Sequence, residues 1–156
     1  DGLFIPRGGA GVVWDEQAWA IEAECYRYML RGVPLMLGLP SASVGEARAG
    51  MFFSGWVSAV LSGEVRGVSF VDARDVARAV MMMFERGKVG RRYLLCGERV
   101  EASWVRGRSS VVGGDSWAFE GAESMLGREY DLERARGELG FRPRKWEVSA
   151  SELGLQ

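Results

Sequence analysis

Apolar residues recur at spacings of three and four through the first part of the chain. Ala18, Ile21, Cys25, Tyr28 and Met29 follow this period, which predicts a helix from Asp15 to Arg31. Asp15 suits its N-cap or first turn, and Glu16 suits the positive end of the helix dipole. Gly32 and Pro34 stop it. The pattern then changes. Val33 to Leu39 is a nearly continuous apolar run closed by Pro40 and Ser41, as expected of a strand buried on both faces in a parallel sheet. Met51 to Leu61 predicts a second helix, with Phe52, Trp56 and Val60 available to pack, and Val68 to Val71 a short strand. Asp75 is the expected N-cap of a helix reaching Arg86, with Val76, Ala79, Val80, Met83 and Phe84 as its apolar face. The run Met81 to Met83 fits that core-facing stripe better than an adaptable binding surface. Arg92 to Cys96 reads as a strand ended by Gly97.

Residues 99–128 are rich in Gly and Ser, include Trp104 and Trp117, and carry no assignable period. Leu132 to Leu139 predicts a short helix, capped by Asp131 and ended by Gly140; Phe141 to Trp146 is expected to be extended around Pro143. Strands and helices alternate at the spacing of βα units, so the fold class is α/β. No internal repeat or low-complexity tract interrupts this order.

The chain's 156 residues suffice to bury a core, and no apolar run is long enough to cross a bilayer as a helix. A net charge of −1 gives no bulk attraction to nucleic acid or anionic membranes. Among 20 basic residues only Lys88 and Lys145 are lysines, and Ile5 and Ile21 are the sole isoleucines; this bias fits GC-rich codon usage. The first residue, Asp1, is not Met, which predicts processing or truncation.

The chemistry-bearing residues are sparse. Histidine is absent, which removes every Ser–His and Cys–His mechanism. Cys25 and Cys96 form no metal or redox spacing, and two thiols suit a reducing compartment. Gly8, Gly9 and Gly11 suggest a phosphate loop, but no full strand precedes them and the expected acidic partner is missing, so a plain loop after a short Leu3–Ile5 strand is the better reading. Asp72 and Asp75 could form a carboxylate pair, with capping the simpler role for Asp75. Glu123, Glu129 and Asp131 read as solvated or capping residues, and Tyr93 and Tyr130 as packing.

Three segments together resemble the extended short-chain dehydrogenase/reductase family, with the dihydroflavonol reductase-like and sugar-epimerase-like branches nearest. They are Gly32-Val-Pro-Leu-Met-Leu-Gly-Leu-Pro40-Ser41-Ala-Ser-Val-Gly45, then Val68-Ser-Phe-Val-Asp72-Ala-Arg-Asp75-Val-Ala-Arg-Ala79 with Gly90-Arg-Arg-Tyr-Leu-Leu-Cys-Gly97-Glu98, and finally Tyr130-Asp-Leu-Glu-Arg-Ala-Arg-Gly-Glu-Leu-Gly-Phe-Arg-Pro143-Arg. They match in order over residues 12–98 and 130–144. The resemblance implies the C-terminal half of that fold: a partial Rossmann-like parallel sheet with flanking helices. It divides the chain into a partial Rossmann-like segment at 1–98, a trimmed substrate-lobe region at 99–129, and a C-terminal helix and tail at 130–156.

The same resemblance implies what is missing. The glycine-rich half that holds a dinucleotide has no counterpart here. The family's Tyr-x-x-x-Lys pair, counted back from Gly32, falls on Trp14 and Ala18, with Glu22 at a frequent acidic position. Tyr26 and Tyr28 do not restore the pair, because Leu30 and Gly32 follow four residues later. Indole cannot exchange a proton near neutral pH and alanine carries no charge, so the expected catalytic set is empty. Pro40 and Ser41 match positions lining the nicotinamide side of the family's pocket.

The expectation is a non-catalytic structural or accessory subunit of a larger complex, with other protein subunits burying an open sheet edge and no cofactor of its own. The compartment expected is intracellular and reducing, the mitochondrial matrix being one such organellar setting. The alternative is one half of a split NAD(P)-dependent reductase or epimerase, whose cofactor would arrive with a second chain. A third reading is a small ligand-binding or regulatory module using the pocket beneath Pro40 and Ser41. No direct nucleic-acid contact is expected.

Overall fold

The computed structural model describes residues 13–45, 66–106 and 130–152, with only the backbone described at Val13–Ala18, Ala42, Val105 and Arg106. The expectations for residues 2–11, for Met51 to Leu61, and for Trp117, Glu123 and Glu129 lie outside the described residues.

Helix α1 runs Val13–Leu30. The Gly32 and Val33 amides then bond the Met29 and Tyr28 carbonyls, closing the helix where Gly32 and Pro34 predicted. The inward face differs from the expected one. Ile21 is 67% exposed and Leu30 88%, while Glu22, Cys25, Tyr26 and Met29 form the half-buried stripe. The reason is a charge contact: Glu22 Oε1 accepts from Arg92 Nη1 at 2.8 Å, turning that side of α1 toward the sheet.

One extended segment then changes partner midway. Its first part, β1 (Leu37–Pro40), runs parallel to β4 (Arg92–Leu95); its second part, β2 (Ala42–Val44), runs parallel to β3 (Gly67–Asp72). Ser41 is the pivot between them. Strand β3 also pairs antiparallel with β5 (Arg99–Glu101), and a short helix α3 (Ala102–Arg106) follows directly. The architecture is α/β, with parallel strands flanked by helices.

Between β3 and β4 lies α2 (Ala73–Arg86). The expected cap was Asp75; the cap found is Asp72, whose carboxylate accepts from the Arg74 amide at 2.9 Å. Strand β3 therefore passes into the helix three residues early, and Asp75 becomes a buried first-turn residue. That start also turns the helix. Asp75, Ala79 and Met83 point inward, whereas Val80 and Met81 are exposed and Phe84 is 78% exposed.

The main core forms where α2, β3, β4 and the C-terminal segment meet: Val71, Ala79, Met83, Tyr93, Leu95, Ala135, Leu139 and Phe141 are buried together. The wound segment α4 (Ala135–Leu139) follows the cap that Asp131 offers to the Glu133 amide, and stops at Gly140 in the left-handed region at φ 75°. After an extended stretch, Trp146–Glu152 forms α5, an element the extended reading around Pro143 did not anticipate. Gly97 allows the tightest crossing: a Cβ there would lie 1.6 Å from the Phe70 carbonyl oxygen.

The strand expected to be buried on both faces is the clearest departure. Val33 is 38% exposed, and β1 alternates half-buried and exposed positions. Among the described residues β4 is its sole strand partner. Leu37 and Ser41 donate to the Arg91 and Leu95 carbonyls of that partner, so the alternation of a parallel ladder turns the backbone groups of Gly38 and Pro40 away from it. A Cβ on Gly38 would meet Leu95 and Met83 side-chain atoms at 3.2 Å. Its side thus faces the core, and the exposure belongs to its backbone at the strand edge.

Phe141→Ala is expected to destabilise the chain by about 3–5 kcal/mol in urea unfolding, because it opens a cavity at a site with no exposure. Phe84→Ala should change stability by less than about 0.5 kcal/mol, because that ring is in solvent.

Candidate functional site

The pivot of the β1–β2 segment brings Pro40 and Ser41 to the carboxyl end of β1, the end at which open α/β sheets place ligands. The Ser41 amide donates to the Leu95 carbonyl at 3.3 Å, and its carbonyl accepts from the Ser43 hydroxyl at 3.3 Å. Its own hydroxyl is tucked in beside the Cys96 thiol and has no hydrogen-bond partner of good geometry. Burial pushes that thiol up to about 11, so Cys96 is a neutral wall residue and not a thiolate nucleophile at pH 7. Trp14 and Ala18 both lie on α1, as the family count requires, with their side chains outside the described set.

Pro40 contributes no donor, and Ser41 has one hydroxyl to offer. Among the described residues no glycine-rich strand-to-helix turn presents the amides that cradle a pyrophosphate. The described residues do not make up a complete dinucleotide site. Nor, among the described residues, does any group of three or more His, Cys, Asp and Glu side chains converge as a metal site.

The strongest electrostatic feature lies elsewhere, at the junction of β3 and α2. Asp72 and Asp75 are 4% and 0% exposed. Arg74 forks onto Asp72, with Nε donating to Oδ1 at 2.9 Å and Nη2 to Oδ2 at 2.6 Å. The Ser149 hydroxyl donates to Asp72 Oδ2 at 3.0 Å. Asp75 accepts the Arg144 amide at 2.6 Å on Oδ2 and pairs with Arg78 at 2.9 Å through Oδ1. The Arg144 guanidinium reaches Asp75, Asp72 and Glu152 at 3.5, 3.7 and 3.5 Å. The Arg74 fork holds the Asp72 carboxyl at about 2, well below its ordinary value.

The sequence placed both carboxylates correctly as neighbours but not their cations. Arg144 lies 69 residues from Asp75, and no local spacing signals that contact. Arg74 and Ser149 hold the Asp72 oxygens and the Arg144 amide holds Asp75 Oδ2, while Asp75 Oδ1 has ion pairs without a hydrogen bond, so the pair acts as a structural lock. A second buried polar group behaves the same way. The Tyr93 hydroxyl donates to Glu138 Oε2 at 2.8 Å and accepts the Lys88 amide at 2.9 Å. Burial raises the Tyr93 phenol and the phenol's hydrogen bond lowers Glu138, so each keeps its ordinary protonation state.

No family profile matches the chain, and no curated protein matches it in sequence. Solved structures do. The chain is similar to gox2253, with a TM-score of 0.71 and 20% identity over 96% of this chain and 58% of that one. It is 28% identical to PA4631, a nucleoside-diphosphate-sugar epimerase from Pseudomonas aeruginosa, with a TM-score of 0.59 over 81% of this chain and 48% of that one. The dTDP-glucose 4,6-dehydratase DesIV from Streptomyces venezuelae, solved with NAD and TYD bound, is 15% identical, with a TM-score of 0.57 over 79% of this chain and 43% of that one. The chain thus spans about half the length of the solved structures it matches. Its fold is shared with NAD-dependent epimerase/dehydratase structures, and the partial coverage is consistent with the C-terminal half of an extended short-chain dehydrogenase.

The depressed Asp72 carboxyl sets an acid limit. A carboxyl held lower in the folded than in the unfolded chain stabilises the fold above its unfolded value and loses that contribution as pH falls toward its folded value. The window therefore runs from about pH 4 down to about pH 2. Asp72→Asn should flatten the pH dependence of the melting temperature across that window and remove roughly 1–2 kcal/mol at pH 7.

Proposed function

We propose that this chain is a non-catalytic element with a short-chain-dehydrogenase-like fold that serves as a structural or accessory subunit of a larger protein assembly, docking through the β1 edge and the exposed apolar residues of α1. One observation carries the reading: β1, a strand whose sequence is apolar enough for the centre of a sheet, has its Gly38 backbone exposed and β4 as its one strand partner among the described residues. Open edges with apolar neighbours are normally covered. Trp19, Ile21, Tyr28 and Leu30, exposed on the two flanks of the half-buried stripe of α1, add apolar surface for a partner.

The chemistry supports the same reading. By the count from Gly32 that the family resemblance implies, Trp14 and Ala18 take the places of an acid/base and a cation, and α1 contains no lysine. Among the described residues the buried carboxylates are spent on structure. Both cysteines are free, which suits a reducing compartment such as the mitochondrial matrix.

A second reading has an observation of its own. DesIV was solved with NAD bound, and the Ser41 hydroxyl at the end of β1 is left without a good partner. On that reading the chain is half of a split NAD(P)-dependent reductase or epimerase, and the half that grips the dinucleotide is supplied by another polypeptide. NAD(P) titration of the reconstituted pair separates the two: binding with turnover favours the split enzyme, and a stable assembly that binds no dinucleotide favours the accessory subunit.

The docking claim is tested with Ile21→Asp/Leu30→Asp. Both sites are exposed, so the isolated chain should melt within about 2 °C of the parent. Native mass spectrometry of the assembly purified from its source should show the parent chain incorporated and the variant lost. Equal incorporation of both would rule out docking through α1.

A further inference from the structure

A cleft of about 320 Å³ opens beside Arg144 of the Asp72/Asp75 lock. Gly97, Glu98 and Pro143 form part of its wall, and four basic residues, Arg136, Arg142, Arg144 and Lys145, form the rest. Arg144 is engaged with Asp72, Asp75 and Glu152. Among the described residues no carboxylate pairs with Arg136, Arg142 or Lys145, although the Arg142 carbonyl accepts from Arg78 at 2.9 Å. Glu98 is the single acid on the wall, and one of its oxygens accepts the Trp146 amide at 3.4 Å.

The backbone that carries these cations is fixed. Phe141 is buried with no exposure on one side of Arg142. The Arg144 amide is tied to Asp75. Trp146, 5% exposed, stacks on Phe70 with ring centres 4.8 Å apart and closes the segment beyond Lys145. Buried or bonded anchors thus alternate with outward cations through Phe141-Arg-Pro-Arg-Lys-Trp146. Three cations are held around one concavity, and their mutual repulsion is left to an outside charge to relieve. Guanidinium groups on fixed backbone are suited to oxyanions that accept two hydrogen bonds at once.

We propose that this cleft binds a compact, multiply charged phosphate-type oxyanion, an orthophosphate or diphosphate group, with Arg136, Arg142 and Lys145 as its donors. The volume is near the lower end of the roughly 300–1,000 Å³ typical of small-ligand pockets, which suits such a group rather than a polymer strand. Glu98 weakens the site and so limits it to anions of more than one charge. The proposal is independent of the docking surface on α1, and nothing in it requires a dinucleotide.

Isothermal titration of the full chain with sodium pyrophosphate and with sodium phosphate, at ionic strength matched with chloride, tests it. Pyrophosphate should bind more tightly than phosphate, and Arg142→Ala/Lys145→Ala should weaken it at least about tenfold. Circular dichroism of the same sample shows whether that variant is folded. Glu98→Gln, which keeps an acceptor for the Trp146 amide and removes the charge, should instead tighten binding several-fold and serves as a second, opposite readout. No binding of either anion by the parent, or equal affinity in the parent and both variants, overturns the proposal. So does variant-sensitive binding of a duplex oligonucleotide with no response to pyrophosphate, which would make the cleft a polymer-backbone contact.

Discussion

Two carboxylates buried side by side, Asp72 and Asp75, set the condition the rest of the structure satisfies. Burying carboxylate oxygens at such low exposure calls for cations and donors close by. The chain supplies them from two directions. Arg74 and Arg78 come from the first turns of α2, and the Arg144 amide and guanidinium and the Ser149 hydroxyl come from the C-terminal segment about 70 residues later. That segment is thereby fastened to the β3–α2 junction by hydrogen bonds as well as by the burial of Leu139, Phe141 and Trp146.

The fastening has consequences on both sides. Inward, it seats α4 against α2 and β4 and completes the core around Met83, Tyr93 and Leu95. Outward, it leaves Arg142 and Lys145 pointing away from the anchored positions, toward a common cleft. Strand β1 stands at the other border of the core. Its inner side meets Met83 and Leu95, while its backbone edge at Gly38 lacks a strand among the described residues. Among the described residues the C-terminal segment is packed on the core and the β1 edge is open.

Much of this was legible in the sequence. The helix α1, the strand expected at 68–71, the strand expected at 92–96 and the glycine stop at Gly140 follow from local patterns, and the structure has each element within a residue or two of its expected bounds. Three readings failed for one shared reason, which is that a local pattern does not reveal a distant partner. Asp75 has the look of a cap, yet Asp72 caps the helix because Arg144 and Arg78 neutralise Asp75 inside. The apolar stripe of α1 was assigned by hydrophobicity, whereas the Glu22–Arg92 pair orients the helix. The run at 33–39 has the composition of a central strand, and composition cannot say that one neighbour is absent from the described fold. Pro40 closes β1, as the end of the apolar run implied. The basic cleft went unnoticed because Arg136 and Lys145 are unremarkable in an arginine-rich chain until α4 brings them together.

We propose that this chain, which spans about half the length of its structural neighbours, is completed by another subunit at the β1 edge. The most direct measurement of that claim is amide hydrogen exchange at β1, in the isolated chain and in the assembly purified from its source. The account predicts fast exchange at Gly38 in the isolated chain, strong protection in the assembly, and unchanged slow exchange at Tyr93 in β4. Protection of Gly38 in the isolated chain, or fast exchange there in both states, would contradict it.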